Sequence, residues 1–115
     1  MRDKKFEQKD WINNSRIIVQ EKNKSLIFTI SDYRAASTFT MTTKEWEIRK
    51  NEISKTIMTK SKLEYQDWGN NSRLIISLKD AHIKLKISNY RAANTFMLPV
   101  SEWNKFLQKV DLIVH

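Results

Sequence analysis

Four of the six arginines stand in two pairs set 57 residues apart, Arg16 with Arg73 and Arg34 with Arg91. Trp11 and Trp68 recur at the same interval, and so do Lys22 and Lys79. Cationic side chains that track phosphates, interleaved with planar groups on which unpaired bases stack, are what a single-stranded polynucleotide needs, at about 1–3 kcal/mol per stacked base. Lys84 and Lys86 extend the set, because their spacing puts both on one side of a strand. The competing reading is structural. Lysines on strand edges and turns discourage aggregation, and a tryptophan after an aspartate at a strand end can simply pin the sheet edge. Tyr33 and Tyr90, beside the second arginine pair, read as structural too, with hydroxyls bonded to backbone. Trp46 and Trp103 fall in phase with apolar helix positions and read as core.

Other chemistries find little to work with. His82 and His115 are unrepeated, cysteine is absent, and no His/Cys/Asp/Glu spacing matches a metal site. Gly69 is the only glycine, so there is no glycine-rich phosphate loop. The repeated acids have local explanations, Glu45 in a helix cap and Asp10, like Asp67, in a turn. The chain is therefore read as a non-enzyme with no cofactor and no metal.

The charge points the same way. Twenty-one Lys and Arg against 13 Asp and Glu give +8, with an isoelectric point near 9.8. On 115 residues that favours a polyanionic partner, nucleic acid ahead of a membrane surface. No apolar run approaches a membrane span and no signal-like core follows Met1, so the expected location is the cytoplasm, at the nucleoid in a bacterium. An alternative from another class is a protein-interaction module, such as an antitoxin, immunity or phage accessory protein, that binds an acidic partner.

These residues are positioned by a repeat. Ser31-Asp32-Tyr33-Arg34-Ala35-Ala36-Ser37-Thr38-Phe39 returns as Ser88-Asn89-Tyr90-Arg91-Ala92-Ala93-Asn94-Thr95-Phe96, and the same shift carries Asp10-Trp11, Asn14-Ser15-Arg16 and Glu45-Trp46 onto their twins. Within each copy the pattern predicts a first strand (5–11, 62–68), an Asn-Asn-Ser turn able to offer donors to phosphate, and a β-branched second strand. A polar break at Lys22-Asn23-Lys24 or Lys79-Asp80-Ala81 precedes a third strand with one apolar face, Leu26/Phe28/Ile30 and Ile83/Leu85/Ile87. A fourth strand follows (38–41, 95–98), then an amphipathic helix. Thr42 and Glu45 make a capping box for the first helix, whereas Ser101 is the expected cap of the second. Met58-Thr59-Lys60-Ser61 is the candidate linker. The expected architecture is α+β, one domain of two β-β-β-β-α repeats (5–57 and 62–114). They pack as a pseudo-two-fold intramolecular dimer of curved antiparallel sheets with helices on one face, and pairing of two such chains stays open.

In the order of these elements, with Ile-Ser-x-Tyr closing the third strand and Glu-Trp opening the helix, each repeat resembles the single-stranded DNA-binding domain of positive-cofactor-four-type transcriptional coactivators, and the related PUR-repeat and Whirly proteins. The chain departs from the coactivators in placing Arg34 and Arg91 after the tyrosine, and in a loop shortened to Ala35-Ala36-Ser37 and Ala92-Ala93-Asn94. The resemblance implies single-stranded nucleic-acid binding with weak sequence preference, DNA ahead of RNA, in transcription regulation or in replication and recombination.

Overall fold

The computed structural model describes residues 4–60 and 62–115. Four strands and a helix follow one another twice: β1 (Lys4–Asp10), β2 (Ser15–Lys22), β3 (Ser25–Ser31), β4 (Ala36–Thr42) and α1 (Thr43–Lys60), then β5 (Lys62–Asp67), β6 (Ser72–Lys79), β7 (His82–Asn89), β8 (Ala93–Pro99) and α2 (Val100–Val114). Each set of strands is an antiparallel meander in chain order, β1-β2-β3-β4 and β5-β6-β7-β8. Alternation sets the faces: Ile17, Val19, Leu26, Phe28, Ile30, Phe39 and Met41 are buried, while Arg16, Ile18, Thr29 and Thr38 fall on the other side. The hairpins β2–β3 and β6–β7 turn on two residues each, Asn23-Lys24 and Asp80-Ala81, all four at φ between 52 and 63°. This is the turn whose twist suits paired strands.

Each helix packs on both sheets. α1 lies on β3 and β4 of its own repeat and on β5 and β6 of the other, and α2 covers β7, β8, β1 and β2. The Phe6 ring of β1 meets Phe106 of α2 edge-on at 5.7 Å, and the Tyr65 hydroxyl of β5 donates to Glu52 of α1. Trp46, Ile53 and Ile57 of α1 and Trp103, Phe106, Leu107, Val110 and Ile113 of α2 are buried along one stripe. Arg49 and Lys50, which interrupt the α1 stripe in the sequence, reach across the join instead: Arg49 stands 4.7 Å over the Tyr65 ring and Lys50 bonds Asp111 at 3.1 Å.

The structure departs from two expectations. Ser101 does not cap α2. Pro99 holds the cap position at φ −63°, no side chain caps the helix, and the Val100 N–H is satisfied by the Ala81 carbonyl at 3.0 Å. The corresponding Thr43 N–H bonds Lys24 O at 3.0 Å, and α1 also has its box, Glu45 N to Thr42 Oγ1 and Thr42 N to Glu45 Oε1, both 3.0 Å. Nor is there a linker at Met58-Thr59-Lys60. Those residues are the last turn of α1, which runs to within two residues of β5, and Ser61 lies outside the described residues.

The repeats are joined by hydrogen bonds that come in twins. Asp10 Oδ2 accepts the Met97 N–H at 2.7 Å, and Asp67 Oδ2 accepts the Thr40 N–H at 2.8 Å. Ser15 Oγ donates to Thr95 O at 2.6 Å, and Ser72 Oγ to Thr38 O at 2.8 Å. Ser37 and Asn94, themselves equivalent positions, bond each other at 2.5 Å. β4 and β8 are edge strands whose outer backbone groups would otherwise lack a ladder, and the β1–β2 and β5–β6 turns of the opposite repeat cover them.

Candidate nucleic-acid interface

The faces turned away from the helices carry a matching pair of clefts of about 270 Å³ each. One lies among Lys9, Asn14, Arg16, Ser31, Asp32 and Tyr33, and the other among Gln66, Trp68, Asn71, Arg73, Asn89 and Tyr90. Two loops build each. The first leaves β1 or β5 through an aspartate that is 3 or 8% exposed, whose Oδ1 accepts the backbone N–H groups two and three residues on (Ile12 and Asn13, or Gly69 and Asn70). Asn14 and Asn71 then turn the chain at φ 52 and 51°. The loop throws its tryptophan outward: Trp11 is 80% exposed and Trp68 84%.

The second loop joins β3 to β4, or β7 to β8. Asp32 Oδ1 accepts the N–H groups of Arg34 and Ala35, and Asn89 Oδ1 those of Arg91 and Ala92, so the shortened loop is held from its first residue. Those backbone donors, helped by the Asn94 amide and the Arg34 charge, hold the Asp32 carboxyl below the usual carboxylate range. Tyr33 and Tyr90 project from this loop, 79 and 76% exposed, with the guanidinium of Arg34 or Arg91 5.2 or 5.3 Å from the ring centre. The expected backbone bond of the tyrosine hydroxyls is absent among the described residues. On a loop fastened through residue 32 or 89 the ring stands mostly in solvent at the cleft wall, with the neighbouring guanidinium beside it.

Four large aromatics at matched positions are thus bare in a protein that buries its other two tryptophans. Isolated exposed apolar residues are ordinary, but bulky rings repeated in register around a basic cleft are not. No protein-family model and no curated protein matches the chain.

The clefts gather Arg16 and Arg73 in their walls, with Arg34, Arg91, Trp11 and Trp68 at or beside the same loops. Other expected residues sit farther along the face. In the second sheet Lys86 lies between Ile75 and Thr95, and Lys84 between Ser77 and Met97, both half-buried. Lys22 and Lys79 are exposed at the far ends of β2 and β6, about 20 Å from Arg16 and Arg73 at strand rise. The serine hydroxyls of the Asn-Asn-Ser turns are not donors for a phosphate, since Ser15 and Ser72 spend them on the opposite repeat. Tyr33, Tyr90, Lys9 and Gln66 were not among the expected contacts. The in-register Tyr-Arg pair was the signal that could have found the tyrosines.

One cluster forms away from the clefts. Glu47, Asp111 and His115 bring ligand-type atoms within 4.8 Å of one another, a grouping that no linear spacing shows. Lys50 already sits in it, 3.0 Å from Glu47 and 3.1 Å from Asp111, and His115 Nε2 lies 2.7 Å from Glu47. No helix among the described residues is long and apolar enough to cross a membrane.

Proposed function

We propose that the chain binds single-stranded nucleic acid, DNA ahead of RNA and with weak sequence preference, over the two open sheet faces. The observation that carries this reading is the duplicated cleft ringed by bare aromatics and arginines, the combination that unpaired bases and their phosphates call for. The reciprocal bonds Ser15–Thr95 with Ser72–Thr38, and Asp10–Met97 with Asp67–Thr40, support packing of the repeats as a pseudo-two-fold intramolecular dimer. In that arrangement the clefts form a related pair. The net charge of +8 favours encounter with a polyanion. Transcription regulation and replication or recombination are the processes that such binding serves.

The test is fluorescence polarisation of a labelled oligonucleotide at several salt concentrations, with competition by duplex DNA and RNA. If about four to six phosphates are neutralised, log affinity falls against log salt with a slope of roughly −3 to −4. No binding at low salt would remove the proposal. The second reading, a module that grips an acidic protein, draws on the same net charge of +8, with Ile48 and Leu112, 70 and 76% exposed on the helices, as the apolar side chains such a contact would cover. It predicts that replacing Ile48 and Leu112 abolishes the partner complex, while replacing Tyr33 and Tyr90 does not.

A further inference from the structure

Residues 32 and 89 hold the same place in the two clefts and differ in one group. Both use Oδ1 for two backbone N–H groups of the following loop, at 2.7 and 3.0 Å for Asp32 and at 2.8 and 2.9 Å for Asn89. Two donors on one atom fix which atom of Asn89 is the oxygen. The other atoms part ways. Asp32 Oδ2 accepts the Asn94 amide at 3.1 Å, whereas Asn89 Nδ2 makes no hydrogen bond to any described residue. An ionised carboxylate only accepts, and an amide nitrogen only donates.

The arginines beside them differ in the same sense. Arg16 is held by Glu7 at 2.8 Å, within hydrogen-bond distance, while Arg73 stands 3.6 Å from Glu64, beyond it. Lys9 adds a cation that the second cleft lacks, Gln66 being its counterpart, but its ammonium is drawn over the Trp11 ring at 4.4 Å. An anion entering the second cleft thus meets an arginine that is ion-paired with its acid at 3.6 Å but not hydrogen-bonded to it, and an unused amide donor. The same anion in the first meets an occupied arginine and a carboxylate.

Building on the polynucleotide reading above, we propose that the cleft of the second repeat is a phosphate seat with Arg73 and Asn89 Nδ2 as its donors, and that Asp32 bars a phosphate from the corresponding place in the first. Hydrogen bonds from a guanidinium to a phosphate oxygen are charge-assisted and fix register, so the strand is anchored by its backbone at one repeat. The first cleft, with its acceptor-only carboxylate, is left to bases.

Exchanging the two side chains tests this with both loops still fastened, because either residue keeps the Oδ1 that holds its turn; D32N gives up the bond from the Asn94 amide, which retains its bonds to Ser37 and to the Ala35 carbonyl. In polarisation titrations with a short labelled oligothymidylate, N89D binds about tenfold more weakly than the wild type, and its salt slope drops by about 0.7, the share of one phosphate. D32N binds at least as well as the wild type. Thermal melts of both variants confirm the fold. Independently, inorganic phosphate added to the ¹⁵N-labelled wild type shifts the Asn89 side-chain amide and Arg73 Nε–H signals but not the Arg16 Nε–H signal, and D32N gives the first cleft that response. Equal losses in N89D and D32N, or equal phosphate shifts at Arg16 and Arg73, would overturn the assignment while leaving polynucleotide binding intact. Absence of oligonucleotide binding, with Asn89 still answering to phosphate, would sink the polynucleotide reading and leave the seat standing.

Discussion

Trp46 and Trp103 occupy the same place in the two repeats and are equally covered, 2 and 5% exposed, yet their indole N–H groups fare differently. Trp46 Nε1 donates to Asp111 at 2.9 Å, whereas Trp103 Nε1 is buried with no partner among the described residues, the position equivalent to Asp111 in α1 being Ser54. The aspartates that staple the turns show the reverse. Asp10 and Asp67 each collect two local N–H groups, one asparagine amide and one N–H from the other repeat, with nothing lost between copies. The bonds that tie the turns to the other repeat's backbone occur in both copies, whereas the bond from the helix tryptophan occurs in one. The charge on the open faces follows the freer pattern, Ile27 and Thr29 in one sheet answering to Lys84 and Lys86 in the other.

The staples give the largest expected effect. D10A or D67A strands several donors at once and is expected to lower the unfolding free energy by about 3 kcal/mol, to the same extent in both, as read by urea denaturation. A large difference between the two would break the equivalence of the repeats. Next, W46F is expected to cost about 1.5 kcal/mol more than W103F, since only the first loses a hydrogen bond to a charged group. S54D, offering Trp103 an acceptor, should narrow that gap. In binding, R73A with R91A is expected to weaken oligonucleotide affinity about threefold more than R16A with R34A, a difference of about 0.65 kcal/mol; equal losses would contradict the asymmetry between faces. The smallest effect is in acid. Asp32 has a folded-state pKa below its ordinary 3.8, so its contribution is complete above that value and is lost as pH falls through the lower one. D32N should therefore show a flatter stability profile than the wild type below about pH 4, in thermal melts across that range.

Much of the architecture was legible because it is written in side-chain periods. The alternation of Leu26, Phe28 and Ile30, the stripe from Trp103 to Ile113 and the Thr42–Glu45 box each name their element directly. What escaped was whatever depends on backbone partners. The bonds from Asp67 to Thr40 N and from Ser72 to Thr38 O end on main-chain groups that every residue carries, so no pattern marks them. Ser101 was mistaken for a cap because the Ala81 carbonyl, which does that work, leaves no trace in the chain's composition. In the clefts the repeated arginines and tryptophans could be found, since repetition is visible. The exposure of Tyr33 and Tyr90 could not, since it follows from how tightly residues 32 and 89 fasten the loop.

The contact between Ser37 and Asn94 carries a consequence for why two modules share one polypeptide. Were the halves separate and identical, a residue meeting its own copy there could only be paired with its own kind, hydroxyl to hydroxyl or amide to amide. A tandem gene escapes that constraint. Here one half supplies the short side chain and the other the long one, and the long one, anchored at 2.5 Å to its twin, has an arm left over to reach Asp32 at 3.1 Å. Inequality can thus start at the centre of the molecule and spread outward, an option closed to any assembly of like subunits.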